Sequence, residues 1–586
     1  MNKVILGGIS FCLLFQLGYS QFTDLPHQMT PEEQLLLPYY QPPHYEGALL
    51  DAPAHAVRTL AEWEELQAVI VTWTSFQYIL SQIIDYAQDE CLVYVVCSDS
   101  NAVKNYLINR GIPVQNIKFI IAPFNSIWIR DYGPWTVYSC PGDTLGIVDW
   151  IYNRPRPYDD LIPGVFATLI QAPLYATTTP PNDLIHSGGN FLPDGHGSAF
   201  SSKLILQENP GKTEAQIDTI MKKYMGIQRY IKLDVLPYDV IHHIDMHMKL
   251  LDEETLLVGE YPPGVSDGPQ IEANLNYILT HFQTCYGRDY RVIRIPMPPD
   301  QYGRYPSTGG DYRTYTNSII INRTVIIPTY QLTYDTIAFR IYRQAMPGYR
   351  IVGIDCNSII PSLGAIHCIV KEVGAYEPIQ ISHAPLLTIR DTLQTYPIVT
   401  RIQNNSGIQQ AEVYWSVDTS LGFTAVPMTP TVNDTFIAEI PRQAGYDQIF
   451  YYISVRSNTG KIITRPLTAP QGFYTLQVEA ITGVDDEPLS ISHRPILFSN
   501  YPNPFNPITT ISWHLPVGGK VKLSIYNSAG QKISSLIDEE QPAGDHQVEF
   551  RAMEFASGVY FYCLTVESSI KQIVNYSETR KMLLIK

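Results

Sequence analysis

The hydrophobic pattern of the sequence changes at about Gln380, and this change constrains the fold more than any other feature. Before it, apolar runs that predict strands at residues 68–73, 92–97 and 117–122 alternate with predicted helices at residues 78–89 and 102–110. After it, short β runs follow one another between Gly, Pro and Asn residues, without predicted helices. An α/β domain followed by all-β domains is therefore predicted, and 586 residues are too many for a single core.

The first 46 residues read as export and lead-in segments. Lys3 precedes an apolar stretch over residues 4–17, and small residues follow at Gly18 and Ser20, which predicts a signal peptide at residues 1–20. Residues 21–46 are rich in proline and are predicted to be a propeptide or lead-in rather than a core element. No later stretch approaches the roughly 20 apolar residues of a membrane span, so no transmembrane segment is predicted in the mature chain.

Charge and cysteines narrow the function classes. The net charge of −16 argues against a nucleic-acid partner, whose phosphates need a basic face, and mildly favours a cationic one. Seven cysteines remain after the signal peptide, so complete pairing would still leave one thiol free. None lies in a C-x-x-C pair, and we predict no structural zinc, no other metal and no cofactor.

The β region divides into two predicted domains joined by a polar linker. Strand-like runs at residues 411–417, 435–440 and 448–456 predict an immunoglobulin-like β-sandwich over residues 379–480, and residues 481–490 read as the linker. Residues 491–586 contain the motif Tyr501-Pro502-Asn503-Pro504-Phe505-Asn506-Pro507, the run Ser557-Gly558-Val559-Tyr560 and a terminal pair, Lys581 and Lys586. This stretch resembles the C-terminal sorting domain of the type IX secretion system. The resemblance implies the type IX machinery as a partner and a secreted or surface-attached location.

Five short motifs in the α/β region contain residues that can perform chemistry. They are Trp128-Ile129-Arg130-Asp131-Tyr132-Gly133-Pro134-Trp135, Gly188-Gly189-Asn190, His243-Ile244-Asp245, Thr314-Tyr315-Thr316-Asn317-Ser318 and Gly364-Ala365-Ile366-His367-Cys368. Each alone has a structural explanation. Arg130 and Asp131 could be a surface pair, His243 and Asp245 on a predicted strand could share a structural hydrogen bond, and Cys368 could be a small buried hydrophobe.

Together and in this order, the motifs resemble the guanidine-modifying superfamily, and within it the bacterial peptidylarginine deiminases related to agmatine deiminase. The likeness runs from about residue 60 to residue 373 and includes Ala61-Glu62-Trp63-Glu64. It implies a five-fold pseudosymmetric α/β propeller as the catalytic domain over residues 47–378. It also implies five catalytic residues, Asp131, His243, Asp245, Asn317 and Cys368.

The chemistry of a guanidinium explains these residue types. The group is planar and always charged, so paired carboxylates such as Asp131 and Asp245 can accept from it, and Trp128 can cover its face. Its carbon is a poor electrophile that needs a thiolate, the role predicted for Cys368. His243 would protonate the leaving ammonia and then activate water, and Asn317 would orient the nucleophile or the substrate. The neighbouring His242 and His367 leave the identity of the histidine open.

Arg154 and Arg156 lie in the run Tyr152-Asn153-Arg154-Pro155-Arg156-Pro157 and are unusual beside a site for a cation. They are predicted to bind the substrate if it also carries a carboxylate, and the resemblance implies the α-carboxylate of a C-terminal arginine. Peptides or proteins with arginine are thus the predicted substrates. A loop with solvated arginines stays open, as do a hydrolase of a small free guanidino compound, a thiol peptidase and a non-enzymatic surface adhesin.

Overall fold

The computed structural model describes residues 25–139, 144–390, 395–443, 447–479, 496–497, 500, 503, 505–515, 519–542, 544–568 and 576–585. The predicted signal peptide and the linker at residues 481–490 lie outside these residues. The chain divides into two compact units, the first with residues up to Ile389 and Thr395–Val478, the second with Arg390–Gln394 and Glu479–Lys586. None of the described helices is both long and apolar enough to cross a bilayer.

Nine α-helices occur in the described part of the first unit. They are α1 (Pro31–Leu36), α2 (Gln77–Ala87), α3 (Ser100–Asn109), α4 (Ile129–Tyr132), α5 (Ile162–Ile170), α6 (Leu204–Glu208), α7 (Glu214–Ile220), α8 (Gly268–His281) and α9 (Leu332–Ala345). In α2, Ile79, Leu80, Ile83 and Ile84 are buried, the spacing by which one apolar face of a helix covers a sheet.

Five small sheets form the larger part of the first unit. The strands before the β-only region are β1 (Val57–Thr59), β2 (Leu66–Thr72), β3 (Leu92–Cys97), β4 (Ile117–Ile121), β5 (Trp135–Ser139), β6 (Thr144–Tyr152), β7 (Leu174–Thr177), β8 (Ile185–His186), β9 (Leu192–Pro193), β10 (Ser198–Ser202), β11 (Arg229–Leu233), β12 (Met248–Leu250), β13 (Thr255–Glu260), β14 (Arg291–Pro296), β15 (Ile319–Ile321), β16 (Thr324–Thr329), β17 (Arg350–Asp355) and β18 (Lys371–Gly374). The sheet orders are β1-β5-β6-β7 with β8 beside β6, β18-β2-β3-β4, β9-β10-β11, β12-β13-β14 and β15-β16-β17.

One pairing pattern repeats in all five sheets. An antiparallel pair is followed by a parallel pair in β5-β6-β7, β9-β10-β11, β12-β13-β14 and β15-β16-β17. The fifth sheet has the same order, but its antiparallel pair joins β18 to β2, from opposite ends of the region. Parallel neighbours need a crossover, and helices supply it, for example α2 between β2 and β3. The pairing of β18 with β2 therefore places the residues that precede β18 beside the first strands of the region.

The remaining strands of the first unit form two further sheets. They are β19 (Gln380–Ser382), β20 (Thr388–Arg390), β21 (Thr395–Gln403), β22 (Ile408–Ser416), β23 (Thr424–Pro427), β24 (Thr429–Pro430), β25 (Thr435–Pro441), β26 (Gln448–Ser457), β27 (Ile462–Arg465) and β28 (Tyr474–Glu479). One sheet has the order β19-β21-β25-β24 and the other β20-β28-β26-β22-β23, with β27 beside β26. The alternating burial of β21 is typical of a sheet with one covered face.

The second unit contains two antiparallel sheets around one core. Its strands are β29 (Ile496–Leu497), β30 (Ile508–Leu515), β31 (Gly519–Asn527), β32 (Lys532–Gln541), β33 (Gly544–Arg551), β34 (Gly558–Ser568) and β35 (Tyr576–Leu584), in the orders β29-β30-β33 and β32-β31-β34-β35. Trp513, Leu523 and Tyr562 are among the buried residues that join the two sheets.

Candidate active site

The five predicted catalytic residues come from four separate turns of the first unit. Asp131 lies in the short helix α4, and Asn317 lies two residues before the start of β15. Cys368 lies in a 3₁₀ turn, His367–Ile369, just before β18. The prediction that His243 and Asp245 lie on a strand is wrong, because a 3₁₀ turn, Ile244–Met246, contains Asp245 and begins directly after His243. His242 before it has a φ of +56°, a strained conformation that lets the chain reverse here.

Cys368, Asn317 and Asp245 form one hydrogen-bonded cluster. The Nδ2 atom of Asn317 donates to Sγ of Cys368 at 3.3 Å and to Oδ2 of Asp245 at 3.0 Å. The thiol of Cys368 lies 3.9 Å from the same carboxylate oxygen. All three side chains are buried. Because Asn317 contacts both the sulfur and the carboxylate, it fixes the position of one relative to the other.

Gly189 joins this cluster to Asp131 and His243. Its backbone N–H donates to Oδ1 of Asp131 at 3.2 Å, and Nδ1 of His243 lies 3.7 Å from the same oxygen. A Cβ atom at Gly189 would lie 2.6 Å from Nδ1 of His243, 3.1 Å from Oδ1 of Asp131 and 3.3 Å from Oδ2 of Asp245. Two carboxylates and a histidine therefore face the same point, and only glycine leaves room there.

Trp128 forms one wall of the site. Its side chain is fully buried, and a Cβ atom at Gly364 would contact both the indole ring and Sγ of Cys368. The flat indole face thus lies close to the thiol. A planar cation fits between such a face and carboxylates.

Burial and the surrounding charges set the protonation states. Burial, with Asp245 and Asp131 adding to it, raises the pKa of Cys368 well above its usual value. Burial lowers the pKa of His243 to about 4, although Asp131 opposes this. Burial raises the pKa of Asp131, but His27, His243 and Arg154 together outweigh it, and the pKa of this carboxyl lies below its usual range. At neutral pH the site therefore holds a neutral thiol, a neutral His243 and an ionised Asp131.

The N-terminal lead-in, predicted to be irregular and outside the core, occupies this site. His27 is fully buried; its Nε2 lies 2.5 Å from Oδ2 of Asp131, and its ring stacks on Trp128 with 4.3 Å between centroids. The indole N–H of Trp128 donates to the carbonyl of Leu25 at 2.9 Å. The carbonyl of His27 accepts from Nε of Arg154 at 3.1 Å.

Arg154 and Arg156 are buried rather than solvated. Arg156 donates from Nε and Nη2 to the two carboxylate oxygens of Glu33, at 2.7 and 3.1 Å, and from Nη2 to the carbonyl of Pro26 at 2.8 Å. Such a two-pronged pair is the geometry by which arginine recognises a carboxylate. The loop with solvated arginines is therefore wrong, because both side chains bind the lead-in.

The sequence reasoning missed a second layer behind the cluster. Nδ1 of His367 lies 2.7 Å from Oδ2 of Asp245, and Nε2 lies 2.8 Å from Oε2 of Glu62, which itself pairs with Lys249 at 2.6 Å. Each ring nitrogen of His367 therefore faces one carboxylate. Glu62 belongs to the Ala61-Glu62-Trp63-Glu64 motif and His367 flanks Cys368, but no pattern in the sequence indicates that the two side chains contact each other.

Within the described part of the chain, His27, Asp131 and His243 form a group that could hold a metal ion, with their ligand atoms within 4.8 Å of one another. In this structure His27 and Asp131 contact each other directly, with 2.5 Å between Nε2 and Oδ2. The described cysteines are free thiols: Cys91, Cys97, Cys285, Cys356, Cys368 and Cys563.

Comparison with known proteins identifies two regions. The family model of Porphyromonas-type peptidyl-arginine deiminases matches residues 58–373, and that of the secretion system C-terminal sorting domain matches residues 499–575. A protein of Vibrio parahaemolyticus, described as a candidate agmatine deiminase, is 26% identical over 292 residues, which cover 44% of this chain and 79% of the relative.

Two solved structures are also similar to the chain. The agmatine deiminase of Enterococcus faecalis has 19% identity and a TM-score of 0.48, with 60% of this chain and all of that chain covered. The agmatine deiminase of C. jejuni has 21% identity and a TM-score of 0.46, with 55% and 97% covered.

Proposed function

The chain belongs to the family of Porphyromonas-type peptidyl-arginine deiminases, and on this basis we propose that its first unit converts peptidyl arginine, at a C-terminal position, to citrulline and ammonia. The sorting domain at the C-terminus indicates export, to the cell surface or the medium. One observation supports a peptide as the substrate, in addition to the family match. The site holds a peptide segment, and Trp128, Arg156 and Arg154 donate to the consecutive backbone carbonyls of Leu25, Pro26 and His27.

The guanidinium of the substrate would take the position of the His27 ring. There it would stack on Trp128, donate to Asp131 on one edge and reach Asp245 near Gly189. Its positive charge would lower the pKa of Cys368, which burial and the same two carboxylates raise. The substrate thus helps to produce the thiolate that attacks it.

The reaction would proceed in two halves through a covalent thiouronium. In the first, the thiol proton passes to the neutral His243, the sulfur of Cys368 bonds to the guanidinium carbon, and His243 returns the proton to the departing nitrogen, which leaves as ammonia. In the second, His243 takes a proton from water as its oxygen bonds to the same carbon. The carbon–sulfur bond then breaks, His243 returns its proton to the Cys368 thiolate, and the ureido product is released after its new hydroxyl group loses a proton to solvent.

A small guanidino compound such as agmatine is the second candidate substrate, and relatives with that description favour it. Arg154 and Arg156 favour the peptide instead. Agmatine has no carboxylate, so it could not replace the hydrogen bonds that Glu33 makes with Arg156, whereas the α-carboxylate of a C-terminal arginine could.

The ratio of kcat/KM for a peptide ending in arginine to that for its C-terminal amide tests this substrate choice. We expect the acid to be favoured and the ratio to fall by about tenfold or more in Arg154→Ala, because a charge-assisted hydrogen bond is worth about 1.5–3 kcal/mol. The exposed Arg110→Ala is the matched control and should keep the wild-type ratio. A ratio near one in the wild type, or equal turnover of agmatine, would contradict the C-terminal preference.

The ratio is measured within one protein, so it does not depend on the fraction of molecules whose site is open. Cys368→Ala completes the test, because it should abolish citrulline formation from every substrate.

We also propose that the five sheets of the deiminase region close into a five-fold pseudosymmetric α/β propeller. The repeated pairing pattern and the antiparallel pair between β18 and β2 support this. The two sheets of residues 379–480 would form the immunoglobulin-like sandwich.

A further inference from the structure

The N-terminal segment of residues 25–33, here called the inhibitory segment, fills the site in the manner of a substrate. Nε2 of His27 faces the carboxylate of Asp131, and Nδ1 lies 2.8 Å from the carbonyl of Leu363. Both partners offer lone pairs, so each ring nitrogen lies where an N–H donor would lie. A flat ring that stacks on Trp128 and faces Asp131 has the geometry expected of a bound guanidinium.

Glu33 supplies the negative group that a C-terminal arginine would bring. Its carboxylate binds Arg156 through two hydrogen bonds. The same carboxylate also accepts from the backbone N–H of Thr30 at 2.8 Å, while the hydroxyl of Thr30 accepts from the N–H of Glu33 at 3.2 Å. This capping box fixes the start of α1 and holds Glu33 in place. The segment therefore occupies both the position beside Asp131 and the position beside Arg156 without containing an arginine.

No substrate can enter while the segment is in place. The side chains of Asp131, His243 and Cys368 are all fully or almost fully buried, and His27 lies between the indole of Trp128 and the ring of His243, 5.0 Å from the latter. Turnover therefore requires that the segment leave.

The chain directly after Glu33 is exposed and could be cleaved, which would release the inhibitory segment. Residues 34–39 are all exposed, with Leu35 at 75% and Tyr39 at 83%. The chain rejoins the deiminase fold further on, where the hydroxyl of Tyr45 contacts that of Thr168 at 2.9 Å and the N–H of Leu49 donates to the carbonyl of Leu174. A cut in residues 34–39 would separate the inhibitory segment without touching the five sheets.

We propose that residues 25–33 are a pseudosubstrate inhibitor, and that a peptidase accepting an apolar side chain activates the enzyme by cleaving residues 34–39. The identity of the blocked pocket as an arginine site rests on the proposed function. Cleavage converts an intramolecular ligand, present at high effective concentration, into a free peptide that dilution removes.

The first experiment uses the full chain with residues 34–39 replaced by the recognition sequence of a site-specific protease. Two quantities are measured before and after cleavage and dilution: citrulline formed from a peptide ending in arginine, and the rate at which iodoacetamide labels Cys368, located by mass spectrometry. We expect both to rise at least about tenfold on cleavage, since a covalent tether raises the effective concentration of a ligand to about the millimolar range. Equal activity and labelling before and after cleavage would overturn the proposal.

The second experiment opens the site without cleavage. His27→Ala and Glu33→Gln each remove one anchor of the segment, so the uncut chain should gain citrulline formation and Cys368 labelling. The matched controls are His44→Ala and Glu32→Gln, which change exposed side chains of the same lead-in and should stay latent. Activation by the control substitutions, or no activation by either anchor substitution, would contradict the assignment of the anchors.

The two readouts separate this proposal from the deiminase function. If cleavage exposes Cys368 but no citrulline forms, the inhibitory segment stands and the proposed reaction is wrong. If the uncut chain already forms citrulline at the full rate, the reaction stands and the inhibition is wrong. If EDTA alone raises citrulline formation and Cys368 labelling in the uncut chain, a metal ion held by His27, Asp131 and His243 keeps the segment in the site. The proposal that hydrogen bonds alone hold it there is then wrong.

Discussion

Cys368 is a thiol whose reactivity depends on what lies beside it. Burial, Asp245 and Asp131 raise its pKa, so the thiol is protonated at neutral pH in this structure. A cationic group beside it would offset the two carboxylates and favour the thiolate.

A pair of alkylating reagents of equal shape tests this dependence on charge. In the chain opened by His27→Ala, a haloacetamidine, which is cationic, should label Cys368 faster than the neutral haloacetamide at pH 7. The gap should narrow as the pH rises above the ordinary thiol range, because the thiolate then forms without help. Cys563→Ser is the control and should leave both rates unchanged, whereas Cys368→Ala should remove them. Equal rates at pH 7 would show that the two carboxylates do not govern the thiol.

Gly189 is a second residue of the site at which the addition of one carbon atom should strongly lower kcat/KM. We expect Gly189→Ala in the opened chain to lower kcat/KM by about a hundredfold, because the new methyl group would occupy the point that Asp131, His243 and Asp245 face. Gly211→Ala adds the same atom where nothing lies within 4 Å, and it should leave kcat/KM unchanged. Thermal unfolding of both variants separates a filled pocket from a damaged fold. Full activity of Gly189→Ala would mean that the guanidinium binds elsewhere.

At the scale of elements, the sequence predicts strands well where apolar runs are continuous. Residues 92–97 form β3 as predicted, and residues 68–73 differ from β2 by two residues at the start and one at the end, because a buried parallel strand is apolar on both faces. The sequence wrongly predicts a strand for His243 and Asp245, because a short alternating pattern occurs both in strands and in 3₁₀ turns. No residue pattern in the sequence indicates the positive φ of His242.

The site was predictable only in part, for a related reason. The motifs around Asp131, His243, Asp245, Asn317 and Cys368 could be read from residue type and order. The lead-in in the site could not, because Trp128, Arg156 and Arg154 bind backbone carbonyls of residues 25–27, and a carbonyl is present whatever the side chain. The pairing of Glu33 with Arg156 joins residues 123 positions apart, a contact that the fold alone brings about.

The strand β18 and helix α4 are held together by a buried ion network that we expect to be essential for stability. Glu372 pairs with Arg130 at 2.5 Å and with Lys371 at 2.7 Å, and Nε of Arg130 donates to the carbonyl of His367. Glu372→Gln would leave the buried guanidinium of Arg130 without this carboxylate, so it should lower the free energy of unfolding of the first unit by about 3–5 kcal/mol.

Asp89→Asn is the matched control for this network. It removes the carboxylate of an exposed pair with Arg350 and should cost about 0–1 kcal/mol. Chemical denaturation of the full chain, followed by the fluorescence of a tryptophan in the first unit, measures both changes. Similar small losses in the two variants would show that the buried network contributes little.

At the scale of the whole molecule, export and catalysis belong to different parts of the chain. The catalytic candidates all lie within residues 128–368, whereas the sorting domain is matched at residues 499–575. Removal of the sorting domain should therefore leave the proposed reaction unchanged and prevent export of the chain.

Deletion of residues 491–586 in the organism that makes the protein tests this separation. We expect the deleted chain to remain in the periplasm, because the outer-membrane machinery no longer has its signal. The same deletion, made in the chain that carries a protease site in residues 34–39, should leave citrulline formation after cleavage within about twofold of the full chain, since no residue of the proposed site is lost. Immunoblots of the cell surface, medium and periplasm locate the protein, and activity per mole of cleaved protein in the lysate measures the chemistry. The deiminase carrying Cys368→Ala with an intact C-terminus is the control, because it should reach the surface without activity. Appearance of the deleted chain at the surface would refute the role of the sorting domain, and loss of activity after cleavage would show that the second unit contributes to the reaction.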